Sequence, residues 1–94
     1  MIVSIIGAGE IGSAVARSLI ESGIADSVIA SRRHVEKILE LEKIGVKVTD
    51  NNRRAAGEAD IVIICVKPKD VEGVLKEIKD EIKEKLVISM AAAV

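Results

Sequence analysis

The sequence predicts a doubly wound α/β domain of the Rossmann type, with five parallel strands in the order 3-2-1-4-5 and helices on both faces. Three observations predict it. Short β-branched runs alternate with amphipathic stretches along the whole chain. The connections are brief, so each helix must return the chain for another parallel strand by a right-handed crossover. Finally, Gly7-Ala8-Gly9-Glu10-Ile11-Gly12 stands between the first strand and the first helix, where such sheets bind a dinucleotide.

The elements follow in order. Ile2 to Ile6 is short, apolar and mostly β-branched, which predicts a buried strand. Ile11, Ala14, Val15, Ser18 and Leu19 recur at helical spacing and predict a helix that ends at Gly23, with these residues as its inner face. Ser27 to Ala30 is the second strand. Val35, Ile38, Leu39 and Leu41 predict a second helix, stopped by Gly45. Val46 to Val48 forms a short third strand. Asn51 to Ala59 has room for one or two helical turns, capped by Asp50 or Asn51. Ile61 to Val66 is unbroken and β-branched, as expected of a central parallel strand. Pro68 and Asp70 open a helix with an apolar stripe of Val71, Val74, Leu75, Ile78 and Ile82. Its other face is charged, and neighbouring lysines there offset repulsion between Glu77 and Glu81. Leu86 to Ser89 is the fifth strand.

Composition limits the function. The 94 residues make one domain, 49% hydrophobic and without Phe, Tyr or Trp, so Ile, Val, Leu and Ala must build the core. Without an aromatic platform, and with a net charge of −1, the chain is not expected to bind nucleic acid or an anionic membrane. No uncharged run reaches the roughly 18 residues of a membrane span. A single cysteine, Cys65, and a single histidine, His34, exclude an intrachain disulfide and give no metal-ligand spacing. The N-terminus enters a strand directly, without the features of a signal peptide, and the expected location is the cytoplasm. Cys65 reads as a small core residue and His34 as a solvated one.

Each glycine of the turn has a separate task. Gly7 permits the tight bend, Gly9 lets the backbone approach a diphosphate, and Gly12 lets the helix lie close to the strand. The free N–H groups of the helix's first turn then face the phosphates, with the positive end of the helix dipole behind them. The residues after the second strand indicate which dinucleotide binds. A carboxylate there would accept from a ribose 2′-hydroxyl, but the chain has Ser31, Arg32 and Arg33, which suit a 2′-phosphate. The nearest acid, Asp26, precedes the strand at the other end of the sheet. NADP(H) is therefore expected over NAD(H).

The run Ile6 to Gly12 resembles the start of pyrroline-5-carboxylate reductase, as do Thr49-Asp50-Asn51-Asn52 and Ala59 to Pro68. Val66-Lys67-Pro68 and the closing Ser89-Met90-Ala91-Ala92 are the more discriminating pieces. The resemblance spans the whole chain but only the cofactor half of that family's enzymes. It implies an NADPH-dependent reduction of 1-pyrroline-5-carboxylate to L-proline. It also implies a further helical domain, absent here, that forms the dimer and completes the imine-substrate site, so the piece alone is expected to turn over little. By position, Ile6, Gly7, Ala8, Gly9, Glu10 and Ile11 would line the diphosphate, Ser31 the 2′-phosphate region, and Asn52 the adenosine half. Cys65, Val66, Lys67 and Pro68 would border the ribose and nicotinamide, and Met90, Ala91 and Ala92 would close the pocket. The family has Gly where this chain has Ala93, which puts the last turn in doubt. No catalytic residue is identified. Leu86 to Val94 carries no charge and is expected to promote self-association. Two alternatives stay open: another NADP-dependent reductase of the 6-phosphogluconate-dehydrogenase-like group, such as a deazaflavin-dependent one, and a non-enzymatic nucleotide-binding domain.

Overall fold

In the computed structural model, which describes residues 1–90, five strands form one parallel sheet. They are β1 (Ile2–Ile6), β2 (Ser27–Ser31), β3 (Lys47–Thr49), β4 (Ile61–Ile64) and β5 (Leu86–Ser89), ordered β3-β2-β1-β4-β5 as expected. The central strand β1 pairs on both sides, with Ile5 opposite Ala30 of β2 and Ile63 of β4. The expectations for Ala91, Ala92 and Ala93 lie outside the described residues.

Alternation along the strands builds two apolar layers. Val3 and Ile5 of β1, with Val28 and Ala30 of β2, face helix α1 (Glu10–Ser22) and the buried Ile38 and Leu41. Ile6, Ile29, Val62 and Ile64 face helices α2 (Asn52–Glu58) and α3 (Val71–Ile78), meeting Ala55, Ala56, Ala59, Val74 and Ile78. Each fully buried Ile or Val contributes roughly 1.5–3 kcal/mol, so aliphatic residues alone suffice for the core. Ser4 shares the parity of Ile6 and is wholly buried, and its hydroxyl has no hydrogen-bond partner among the described residues.

Three expectations need correction. The inner face of α1 is not the Ile11–Ala14–Ser18 stripe. Gly12 and Ala16 are the buried residues, Val15 and Leu19 are half-buried, and Ile11 remains 54% exposed. The helix lies so close to the sheet that a Cβ on Gly12 would stand 3.1 Å from Ile5 Cγ2. At Gly12 only the smallest residue fits, while Val15 and Leu19 pack against the core on either side of Ala16.

The second predicted helix is instead two 3-10 segments, Val35–Lys37 and Leu39–Ile44. Val35, Ile38, Leu41 and Ile44 recur every third residue, and that spacing aligns one face at three residues per turn, not at 3.6. Hydrogen bonds from Ile38 N–H to the Val35 carbonyl and from Leu41 N–H to the Ile38 carbonyl, both 3.0 Å, follow the tighter pattern. Gly45 ends the second segment in the left-handed conformation, φ +96°, as its place in the sequence predicts.

The last helix begins with a 3-10 turn at Pro68–Asp70 and stops at Ile78, short of the predicted Ile82. Beyond it Lys85 donates to the carbonyls of Ala56 and Gly57 at 2.6 and 2.8 Å, capping the end of α2. Smaller shifts affect the strands: β2 continues through Ser31, β3 starts at Lys47, and β4 ends at Ile64 before Cys65 and Val66. In β5, Val87 packs against the α3 layer, while Leu86 and Ile88 stay exposed on the opposite face. The strand order reverses between β1 and β4, and their carboxyl ends frame the site.

Candidate dinucleotide site

The turn after β1 is held from below by a single carbonyl. Ser31 O at the end of β2 accepts from Gly7 N–H at 3.0 Å and from Ala8 N–H at 2.8 Å. Gly7 has φ +81°, and a Cβ there would meet Val66 Cγ1 at 2.3 Å, so both conformation and space require glycine. Gly9 N–H turns back to the Gly7 carbonyl at 2.8 Å. Three amides of the loop are thus spent on its own shape. The first α1 bond runs from Ser13 N–H to the Gly9 carbonyl at 2.9 Å, so the amides of Glu10, Ile11 and Gly12 precede the helical ladder. A Cβ on Gly9 would have nothing within 4 Å. That open space, before unspent amides and the positive helix end, fits a diphosphate.

The residues predicted to surround this turn divide into two groups. A cleft of about 550 Å³ beside the turn is lined by Gly7, Arg32, Arg33, Asn52 and Val66, with Lys69, Asp70, Gly73, Val74 and Glu77 from the α3 side. Arg32 is tied to the loop, its Nη1 lying 3.4 Å from the Ala8 carbonyl and its own N–H donating to the Thr49 carbonyl at 3.0 Å. Arg33 is exposed. A second, apolar hollow of about 560 Å³ is lined by Ile11, Cys65, Val66, Lys67, Pro68, Lys69 and Met90. Ile6 and Ala8 are wholly buried, which leaves their main chain as their means of shaping the site.

Ser31 sits at the end of β2, beneath the cleft that Arg32, Arg33 and Asn52 line. It is wholly buried, and its hydroxyl donates to Asn52 Oδ1 at 2.6 Å. A hydroxyl has one hydrogen, so Ser31 supports Asn52 from below. Asn52 in turn donates through Nδ2 to Glu77 Oε1 at 2.9 Å. The sequence reading missed Glu77, together with Lys69, Asp70, Gly73 and Val74. Glu77 lies on what reads as the wet face of α3, and a contact 25 residues apart leaves no periodic trace. The acids of that face are also partnered differently than expected. Glu81 takes the Arg53 guanidinium at 3.2 Å, and this pairing holds Arg53 above its ordinary pKa.

Cys65 is half-buried, and desolvation raises its thiol pKa. Asp26 lies at the opposite end of the sheet, paired with the Met1 amino group, which lowers its carboxyl pKa. Among the described residues no cluster of His, Cys, Asp and Glu could hold a metal ion, and no helix is long and apolar enough to cross a membrane.

A glycine turn of this geometry at the switch point of a five-stranded Rossmann sheet defines a NAD(P)-binding domain. Residues 2–93 match the profile of the family described as NADP oxidoreductase, coenzyme F420-dependent, and the chain belongs to that family. Over 98% of its length it is 40% identical to a pyrroline-5-carboxylate reductase of Methanosarcina acetivorans, covering 36% of that protein. Against the enzyme of Corynebacterium melassecola the identity is 35%, again over 98% of the chain and 36% of the relative. The solved pyrroline-5-carboxylate reductase of Coxiella burnetii superposes with a TM-score of 0.84 at 34% identity, over 93% of this chain and 34% of that one. An imine reductase of Myxococcus stipitatus in complex with NADP+ gives 0.85 at 26% identity, over 95% of this chain and 31% of that one. The chain thus spans about a third of the length of these relatives.

Proposed function

We propose that this chain is the NADP(H)-binding part of a reductase that converts 1-pyrroline-5-carboxylate into L-proline, as in proline biosynthesis. The observation that carries the reading is the open space at Gly9, in front of the unspent amides of Glu10, Ile11 and Gly12. The names of the relatives supply the substrate class. The glycine turn binds the diphosphate, and Arg32 with Arg33 attracts a 2′-phosphate in the neighbouring cleft. Asn52 contacts the adenosine half. Cys65, Val66, Lys67, Pro68 and Met90 border the nicotinamide in the apolar hollow, and exclude water from it. When bound, the nicotinamide supplies the hydride, while the protein orients the ring. Residues beyond these 94 complete the imine site, so the chain alone binds cofactor and yields little proline. The exposed Leu86 and Ile88 promote self-association, which light scattering at rising concentration measures.

Calorimetric titration with NADPH and NADH, with a proline-formation assay on the same sample, tests the reading. It predicts tighter binding of NADPH and negligible turnover. Equal affinity for both nucleotides would overturn the cofactor assignment, and full turnover by the 94 residues would overturn the division of labour. The family description favours one second reading, a deazaflavin as redox partner. NADPH oxidation that depends on added coenzyme F420, with no imine reduced, would replace the first reading with it.

A further inference from the structure

We infer that Glu77 is a positioning residue for the adenosine end of the cofactor and acts through Asn52. This inference rests on the proposed NADP(H) function. Asn52 is gripped on both sides: its Oδ1 accepts the buried Ser31 hydroxyl at 2.6 Å, and its Nδ2 donates to Glu77 Oε1 at 2.9 Å. The two grips differ in kind. A hydroxyl donates or accepts, so Ser31 alone would tolerate either orientation of the amide. An ionised carboxylate only accepts, so Glu77 tolerates one orientation, with the nitrogen towards α3. The carboxylate therefore decides which way the amide lies, and Ser31 adapts to it.

This has a consequence for the ligand. Asn52 and Glu77 both line the cleft that also carries Arg32 and Arg33. With one Nδ2 hydrogen spent on Glu77, the other is the donor that Asn52 has left to offer. It matches phosphate oxygens, which only accept. Were the amide reversed, its carbonyl oxygen would face the phosphate oxygens and repel them. Glu77 thus keeps Asn52 complementary to the ligand, although its own charge adds nothing favourable towards a phosphate.

The test uses the full 94-residue chain, its Glu77→Ala, Glu77→Gln and Asn52→Ala variants, and the Asn52→Ala/Glu77→Ala double variant, each checked for folding by thermal unfolding. Glu77→Ala should weaken NADPH binding about fivefold, the worth of one ordinary hydrogen bond. Glu77→Gln can accept from Asn52 or donate to it, so it no longer fixes the orientation and should bind less tightly than the parent, though more tightly than Glu77→Ala. With Asn52 already replaced by Ala, Glu77→Ala should cause no further loss. The Asn52 side-chain amide resonances of the nucleotide-free protein give a reading independent of binding, and they should move in Glu77→Ala. An equal loss in the Asn52→Ala background, a Gln variant as weak as the Ala variant, or unmoved Asn52 resonances would overturn the inference while leaving the proposed function standing. If the parent protein bound neither NADPH nor NADH, both would fall together.

Discussion

Replacing Gly7 or Gly9 by alanine adds the same methyl group two residues apart, yet the two changes should fail in different ways. At Gly7 the methyl would stand 2.3 Å from Val66 Cγ1, 3.1 Å from Val66 N and 3.2 Å from Val66 Cα, at φ +81°. The left-handed conformation costs an alanine about 1–2 kcal/mol. Turning Val66 off its rotamer adds about 0.5–1.5 kcal/mol, and the backbone contacts must also relax by a few tenths of an ångström. A total of about 3 kcal/mol is a large share of the stability of a domain this size, and should lower the melting temperature on the order of 15 °C. At Gly9 the methyl meets nothing of the protein within 4 Å, so the fold should not register it. It would instead occupy the space assigned to the diphosphate and push charge-assisted hydrogen bonds out of range. NADPH affinity should fall at least about tenfold. Far-UV circular dichroism suits the melting measurement, because a chain without Trp, Tyr or Phe has no intrinsic fluorescence. The reasoning is refuted if Gly7→Ala melts within about 3 °C of the parent, or if Gly9→Ala binds NADPH within about twofold of it.

Three further outcomes are expected. Ser4→Ala removes a buried hydroxyl that has no partner among the described residues and should stabilise the protein by about 1 kcal/mol in urea unfolding, whereas a loss of that size would point to an acceptor for the hydroxyl. The Asn51 side chain caps α2 by accepting from Arg54 N–H at 3.0 Å, so Asn51→Ala should cost about 1 kcal/mol by the same assay, and no change would deny the cap. Burial raises the Cys65 pKa, so less thiolate is present at neutral pH than in a free thiol. Its alkylation by iodoacetamide should be slower than that of glutathione and accelerate only at higher pH, and NADPH should slow it further. Fast labelling at pH 7 would contradict the buried setting.

The sheet was legible because its strands carry their own signal: Ile61 to Ile64 and Ile2 to Ile6 are unbroken and mostly β-branched, as only strands covered on both faces are. Gly7, Gly23 and Gly45 announced positive φ at the places where the chain needs it. What failed had specific physical causes. Val35, Ile38, Leu39 and Leu41 fit the period of an α-helix, but Val35, Ile38, Leu41 and Ile44 form a three-residue repeat that suits the tighter 3-10 turn. The most buried residues of α1 are Gly12 and Ala16, too small to mark an apolar stripe, while Val15 and Leu19 of the predicted stripe flank them against the core. The candidate site was legible where it is local, in the glycine turn at the end of β1 and in Arg32 and Arg33 after β2. The Ser31–Asn52–Glu77 chain joins three distant segments by polar groups, and no spacing rule foretells such a contact.

The central claim is that the first turn of α1 offers its main-chain amides to a diphosphate. Titrating ¹⁵N-labelled protein with NADPH measures this amide by amide. Glu10, Ile11 and Gly12 should show the largest shifts in the chain, and inorganic pyrophosphate should move the same three. Shifts concentrated elsewhere, with these three resonances unchanged at saturating NADPH, would contradict it.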